Sequence, residues 1–314
     1  MKVKSISFLI ILVLIFAFTS FINNNYVKAQ KEEDVWYPLN NGLTGGVITS
    51  LVMDSSIEGR YIAGANKHGV FETTNFGQDW ISIGKNLEDK RVLSVALDVS
   101  DVNYIYAGTY NQFYYTNDHG VKWEKANVEF NRINFIKVWK DRTIFIGTKS
   151  GLFKSYSKNE RFKFYRIIDN NVAYNEILAI AFNPKKQNII YVGTFDRGVS
   201  ISQDGGNTWK NISNSLPKDQ VVSLIFDRYN SDILYAFLKE SGVWRYQYKE
   251  DKINDDKEPW IKVSKSEKSL LINCTSSSES NYDEVLIGTD NDGLYKYNTK
   301  SSELIKVESF FYSS

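Results

Sequence analysis

Six short apolar runs recur along the chain: Val47–Met53, Val92–Leu97, Ile133–Val138, Ile177–Phe182, Val221–Phe226 and Leu270–Cys274. Each is rich in branched residues and nearly continuous, which suits a strand buried on both faces. Several end in Asp54, Asp98, Asn183 or Asp227, residues that start tight turns. A second strand pattern follows each run: Arg60–Ala65, Tyr104–Thr109, Thr143–Thr148, Ile189–Thr194, Ile233–Leu238 and Glu284–Thr289. A third opens on Gly69, Gln112, Gly151, Gly198, Gly242 or Gly293, and a fourth begins near Trp80, Trp123, Phe162, Trp209, Trp260 and Glu303.

Aligning the second strands on their Ala-Gly or Gly-Thr ends superposes Gly64, Gly108, Gly147, Gly193 and Gly288, with Phe237 in the equivalent place. The spacings run from 39 to 51 residues. A period of that length, filled by strand patterns alone, is the signature of a β-propeller. The expected fold is all-β: a six-bladed β-propeller of four-stranded antiparallel blades. Its repeats span approximately 36–80, 80–123, 123–162, 162–209, 209–260 and 260–307. The fourth-strand pattern has a seventh copy, Trp36-Tyr37-Pro38-Leu39-Asn40. It is expected to lie with Leu304–Val307 on the last blade and close the ring. A seven-bladed ring is the alternative, although no seventh apolar run exists.

Between third and fourth strands lies an octapeptide, Ser202-Gln203-Asp204-Gly205-Gly206-Asn207-Thr208-Trp209. It returns as Thr73–Trp80 and Thr116–Trp123, and in decayed form as Ser155–Phe162. The Asp or Asn (Asn75, Asp118, Asp204) can accept from turn amides. The glycine (Gly77, Gly120, Gly206) takes a backbone geometry other residues resist. Thr73, Thr116, Ser202 and Thr208 can satisfy further turn groups, and the Trp buries a large ring. Read this way the device is structural, with too few oxygen ligands for a calcium loop.

The octapeptide resembles the Asp-box, or BNR, repeat, Ser-x-Asp-x-Gly-x-Thr-Trp. Residues 202–209 match it at every defined position. Propellers of this group include sialidases, xyloglucan-active hydrolases, photosystem assembly factors and sortilin-type receptors. The resemblance implies that binding occurs on the face opposite the octapeptide turns. By register that face carries Arg91, Arg132, Tyr174, Asp196, Arg197, Glu240, Asp290 and Asp292. Sialidases need three arginines, a Tyr with a Glu partner, and an acid. Arg91, Arg132 and Arg197 with Tyr174 and Asp89 or Asp196 answer in part. The arginines sit on adjacent blades, however, and the Arg-Ile-Pro signature is absent. Xyloglucan-active members use a cleft between two propellers, and this sequence holds one.

Composition narrows the partners. A basic start (Met1-Lys2-Val3-Lys4), an apolar stretch from Ile6 to Ile22 and the small-x-small site Val27-Lys28-Ala29 read as a signal peptide over residues 1–29, cleaved before Gln30. An uncleaved anchor is the alternative. Residues 30–314 would form one propeller domain, secreted, periplasmic or at the cell surface, with no membrane span in the mature chain. Losing Lys2, Lys4 and Lys28 moves the formal net charge from +1 to −2. That excludes the strongly basic face a nucleic-acid partner requires. The lone Cys274 excludes an intrachain disulfide and lies in an apolar strand, as a buried thiol. No cofactor or metal is implied. The expectation is a monomeric, non-catalytic propeller that binds a protein or a glycan, with a glycoside hydrolase as the alternative.

Overall fold

The computed structural model describes residues 38–307, except 45, 99, 140–141, 156–161, 250–259, 265–269, 278–282 and 291. The leader, Trp36, Tyr37, most of the decayed octapeptide and nearly all of the charged insert at 249–258 fall outside the described residues.

The chain forms a six-bladed β-propeller whose blades are four-stranded antiparallel sheets. Blade 4 shows the plan: Ile177–Phe182, Ile190–Thr194, Val199–Ser202 and Lys210–Asn211, each hydrogen-bonded to the next. The first strands, Val47–Met53, Ser94–Leu97, Ile133–Val138, Ile177–Phe182, Val221–Phe226 and Ile272–Ser277, are innermost and meet blade to blade. Blade 6 begins two residues later than the apolar run suggests. Register therefore places Cys274, not Ile272, opposite Gly288. Ser50, Ser94, Ala179, Ser223 and Cys274 all occupy this crowded position, and Phe135 alone is large there.

The apolar core lies between blades. Separate clusters join blades 1 and 2, 2 and 3, 3 and 4, 4 and 5, and 5 and 6. The second-strand glycine makes these junctions possible. A Cβ on Gly64 would meet Val92 Cγ1 at 2.8 Å, one on Gly108 would meet Ile133 Cγ2 at 2.5 Å, and one on Gly193 would meet Val221 Cγ1 at 2.5 Å. The first residue of the inner runs of blades 2, 3 and 5 thus inserts where the preceding blade has no side chain. At the junction of blades 1 and 2 a buried Arg60 adds ion pairs to Asp54 (2.8 Å) and Glu72 (2.7 Å). Its Nη1 also donates to Val102 O at 2.8 Å.

The octapeptide turns fold as their chemistry requires. Gly206 N donates to Ser202 Oγ at 2.8 Å, and Asn207 N and Thr208 N donate to Asp204 Oδ1 at 2.9 Å. Thr208 Oγ1 donates to Asp204 Oδ2 at 2.6 Å. Thr116–Asp118–Gly120 and Thr73–Asn75–Gly77 repeat the pattern. The fourth and fifth residues of all three turns have positive φ: Phe76 and Gly77, His119 and Gly120, Gly205 and Gly206.

Blade 6 carries Leu304–Lys306 as its outer strand, as expected. Trp36 and Tyr37, which open the copy expected beside it, lie outside the described residues. The described part of that copy meets blade 1: Trp80 Nε1 donates to Leu39 O (3.1 Å) and Trp80 N to Asn41 O (2.8 Å). Trp123 and Trp260 donate in the same way to Ile83 O and Ile212 O, just beyond the outer strand of the preceding blade. Leu39 therefore takes the place of that carbonyl for blade 1. Among the described residues no apolar cluster spans blades 6 and 1.

Two outcomes are expected from urea denaturation. Gly108→Ala should cost about 1–3 kcal/mol by overpacking against the branched, buried Ile133. Gly205→Asn, in open space and in a conformation asparagine accepts, should stay within about 0.5 kcal/mol of wild type. The Asp204 carboxyl gives a pH signature. Burial alone would raise it, but bonds from Thr208, Ser202 and Asn207 outweigh that and hold it below its ordinary value. Such a group adds stability above the unfolded-state value of about 3.9 and loses it as pH falls through the lower folded-state value. Asp204→Asn should therefore cost about 1 kcal/mol at pH 7, and the difference from wild type should shrink by about pH 3.

Candidate functional site

Antiparallel pairing sends the second-to-third-strand loops and the connections between blades to one end, opposite the octapeptide turns. On blades 2 to 4 these segments form a continuous arc. Arg91 lies over the Tyr110 ring at 5.1 Å. Arg132 N donates to Tyr110 O at 2.5 Å, and the Arg132 guanidinium reaches Glu176 at 3.8 Å. Asn134 Nδ2 also donates to Glu176 (3.2 Å), and Phe195 N donates to Glu176 O (3.0 Å). Arg166 lies over the Tyr174 ring at 5.2 Å. Three rings stay open to solvent: Tyr110 at 40%, Tyr174 at 72% and Phe195 at 44% exposure. Arg132 (φ 51°) and Tyr174 (φ 61°) hold left-handed backbone that non-glycine residues seldom adopt.

The three arginines expected on this face are there, yet two are occupied. The Arg91 fork grips Asp89 through Nε (2.9 Å) and Nη2 (3.1 Å), and Arg132 faces Glu176. The Arg197 side chain is exposed and makes no ion pair among the described residues. Its backbone carbonyl accepts from Asn211 Nδ2. Asp196 beside it is exposed.

The candidates on blades 5 and 6 form a second group, with no contact to the arc among the described residues. Asp290 pairs with Lys239 at 2.7 Å, and Asn273 bonds both. Asp292 accepts from Tyr295 and from Lys306. Burial first, then that bond to Asp292, pushes the Tyr295 phenol up to about 12. Glu240 is exposed, and its amide donates to Asp219 Oδ2 at 2.8 Å.

A glycosidase needs a carboxylic acid held protonated near neutral pH. Two carboxylates here shift clearly, and both go down. For Asp89, burial opposes the change, and hydrogen bonds and charge from Arg91 overcome it. For Asp290, burial is likewise overcome, by Lys239 and Asn273. The arrangement suits fixed anions in ion pairs rather than proton donation.

The sequence places Tyr110 and Phe195 in the polar and aromatic second-to-third-strand loops of this face, but does not single out Arg166, Glu176 or the bridging Asn134. Asn134 was legible in one respect, as a polar residue interrupting the apolar run Ile133–Val138. It occupies a β-bulge, and a bulge re-aims a side chain away from the strand's regular alternation. Cys274 is partly buried, and desolvation raises its thiol. Both histidines, His68 and His119, belong to blades 1 and 2, whereas Cys274 is on blade 6.

No protein-family model matches this sequence, and no curated protein is similar to it. Solved structures do match. An ancestral GH74 enzyme aligns at TM-score 0.65 and 21% identity, over 87% of this chain and 39% of that one. The extracellular domain of a putative hybrid two-component system from B. thetaiotaomicron aligns at 0.65 and 21%, over 91% and 35%. YCF48 bound to D1 peptide aligns at 0.62 and 12%, over 88% and 85%. The chain thus spans well under half of the first two. At these identities the likeness establishes the propeller fold.

Iodoacetamide should alkylate native Cys274 at least about tenfold more slowly than the urea-unfolded chain at pH 8, as burial and a raised thiol value require. Mass spectrometry of quenched samples reads this directly.

Proposed function

We propose that this chain is an exported, non-catalytic binding propeller that recognises a protein or a glycan on the loop arc of blades 2 to 4. The observation that carries the reading is the trio of exposed rings, Tyr110, Tyr174 and Phe195, framed by Arg91, Arg166 and the open Arg197. Aromatic platforms with nearby planar cations suit the faces of sugar rings and the side chains of peptides. The downward shifts of Asp89 and Asp290 oppose a general-acid role on this face. The octapeptide turns are read as Asp-boxes and assigned a purely structural task. Residues 30–314 are read as one monomeric domain released by cleavage after Ala29. Export draws support from the leader pattern and from a structural neighbour described as an extracellular domain. Among the described residues no helix is long and apolar enough to cross a membrane. A propeller seen with a bound peptide supports a protein partner.

Tyr110→Ser/Tyr174→Asn/Phe195→Ser removes the rings, with asparagine chosen because position 174 has positive φ. The variant should melt with wild type and lose at least about tenfold in affinity for ligands found by a glycan array and envelope-extract pull-downs. Undiminished binding would sink the arc as the site. The competing reading, a glycoside hydrolase, rests on the likeness to GH74 enzymes. It would displace ours if the protein turned over xyloglucan, a β-glucan or a fluorogenic sialoside and lost that activity in Arg132→Ala or Asp196→Ala.

A further inference from the structure

A further concavity lies elsewhere, in the bore. A cavity of about 820 Å³ runs along the inner strands of blades 3 to 6. Its lining reaches Pro184, Asp227 and Arg228, in the turns after the inner strands of blades 4 and 5. The cavity therefore extends along the inner strands from Leu178 and Val222 to the octapeptide end, and shares no lining residue with the arc. Much of the wall is apolar, with Phe135, Leu178, Phe182, Val222, Ile225 and Phe226 prominent.

This wall is built rather than incidental. Leu178 and Val222 sit at β-bulges, where an extra residue breaks the alternation of the inner strand. Phe135 stands where the other blades carry a small residue, and its ring occupies the space opposite Gly147, where a Cβ would come within 2.1 Å. Phe182 is fixed by stacking on Trp139 (4.1 Å), and Phe226 packs edge-on against Tyr191 (5.6 Å). A rigid apolar wall of this size falls within the range of small-molecule sites, about 300–1,000 Å³.

Lys137 gives the cavity its polarity. It comes from the inner strand of blade 3, is solvent-accessible, and lines the same space. It makes no hydrogen bond or ion pair among the described residues. The protein around the bore nonetheless partly desolvates it, and that lowers its ammonium from the ordinary lysine value. Other polar groups nearby are engaged. Thr275 Oγ1 donates to Ser223 Oγ at 2.7 Å, and Asp227 Oδ1 accepts from Tyr229 N (3.0 Å) and Asn230 N (2.8 Å). A solvent-accessible cation that makes no hydrogen bond or ion pair among the described residues, set beside aromatic rings, is complementary to one ligand chemistry.

We propose that the bore is a binding site for an organic carboxylate with an apolar body, its anion on Lys137 Nζ and its body against Phe135, Phe182 and Phe226. The site is independent of the arc, so each can fail without the other.

Calorimetry on the full chain with decanoate, decanol and decyltrimethylammonium tests it, with 8-anilinonaphthalene-1-sulfonate fluorescence as a displacement readout. Decanoate should bind one-to-one, displace the dye and outcompete the cationic analogue. Lys137→Met should weaken decanoate at least about tenfold, the loss expected for a charge-assisted hydrogen bond, and leave decanol unchanged. Lys137→Arg should restore most of the affinity. Because Lys137 has no described partner, Lys137→Met should melt with wild type; were it to misfold, Lys137→Gln carries the same comparison. Tyr110→Ser/Phe195→Ser should bind decanoate as wild type does. Absence of decanoate binding, equal affinity in the folded Lys137→Met or Lys137→Gln protein, or no preference for decanoate over the cation would overturn the proposal.

Discussion

A missing side chain organises this protein. In each blade the second strand passes a point where the next blade must come close. At Gly64, Gly108 and Gly193 a methyl group would collide with the branched residue that opens the neighbouring inner strand. Burying Val92, Ile133 and Val221 there locks blade to blade and sets the rotation between sheets. The two departures follow the same steric rule. In blade 3 the blade's own Phe135 lies over Gly147. In blade 5 Phe237 replaces the glycine, and its cross-strand partner is the small Ser223. The space is conserved as a volume shared between two positions, whichever of them supplies the atoms. Close packing of protein interiors permits such exchanges when total volume is kept.

The octapeptide turn is a second, separable device, and the structure divides it into two parts. The Ser or Thr, the Asp or Asn and the glycine satisfy one another within the turn. The Trp does something different in three blades, where its indole N–H crosses to a neighbouring segment: Trp80 to Leu39, Trp123 to Ile83, Trp260 to Ile212. Trp209 instead donates within its own turn, to Gly206 O. This explains why Trp260 is present in a blade that has lost the rest of the motif. A loop can be closed in other ways, whereas a buried indole must still find an acceptor. It also explains the N-terminal copy of the fourth strand. Blade 1 needs an outer carbonyl in front of its Trp, and Leu39 provides it.

The fold was readable because its period is long and its turn residues are chemically demanding. Six apolar runs, a recurrent Gly and a recurrent Trp leave little freedom to either architecture or strand order. The boundary of blade 6 was less legible. Leu270 extends an apolar run without joining the ladder, so the inner strand opens at Ile272 and Cys274 stands opposite Gly288. For the N-terminal copy, the described contact is the acceptor that Leu39 offers to Trp80. For the site, the face of each loop could be deduced from strand order, and Arg91, Arg132 and Arg197 lie where expected. Their partners could not be deduced. Asp89 grips Arg91 from two residues away, whereas Glu176 reaches Arg132 from another blade. Such pairings depend on how loops cross space between sheets, and periodicity carries no information about that.

Strand order assigns loops and turns to the two faces and leaves the bore unassigned. A propeller has a third surface, the inner wall, which belongs to neither face. Its chemistry is set by inner-strand residues that the sheet alternation would send toward neighbouring blades. Bulges break that alternation at Thr49, Asn134, Leu178, Val222 and Asn273. Blades 1, 3 and 6 place polar side chains there, and these are spent on contacts: Thr49 to Val92 O, Asn134 to Glu176 and Ile177 O, Asn273 to Lys239 and Asp290. Blades 4 and 5 place Leu178 and Val222 there, which have no such use, and between them the wall turns apolar. An asymmetric ring thus keeps its polar bulge positions for holding blades together and leaves one apolar stretch of wall, with Lys137 on it, open to a ligand.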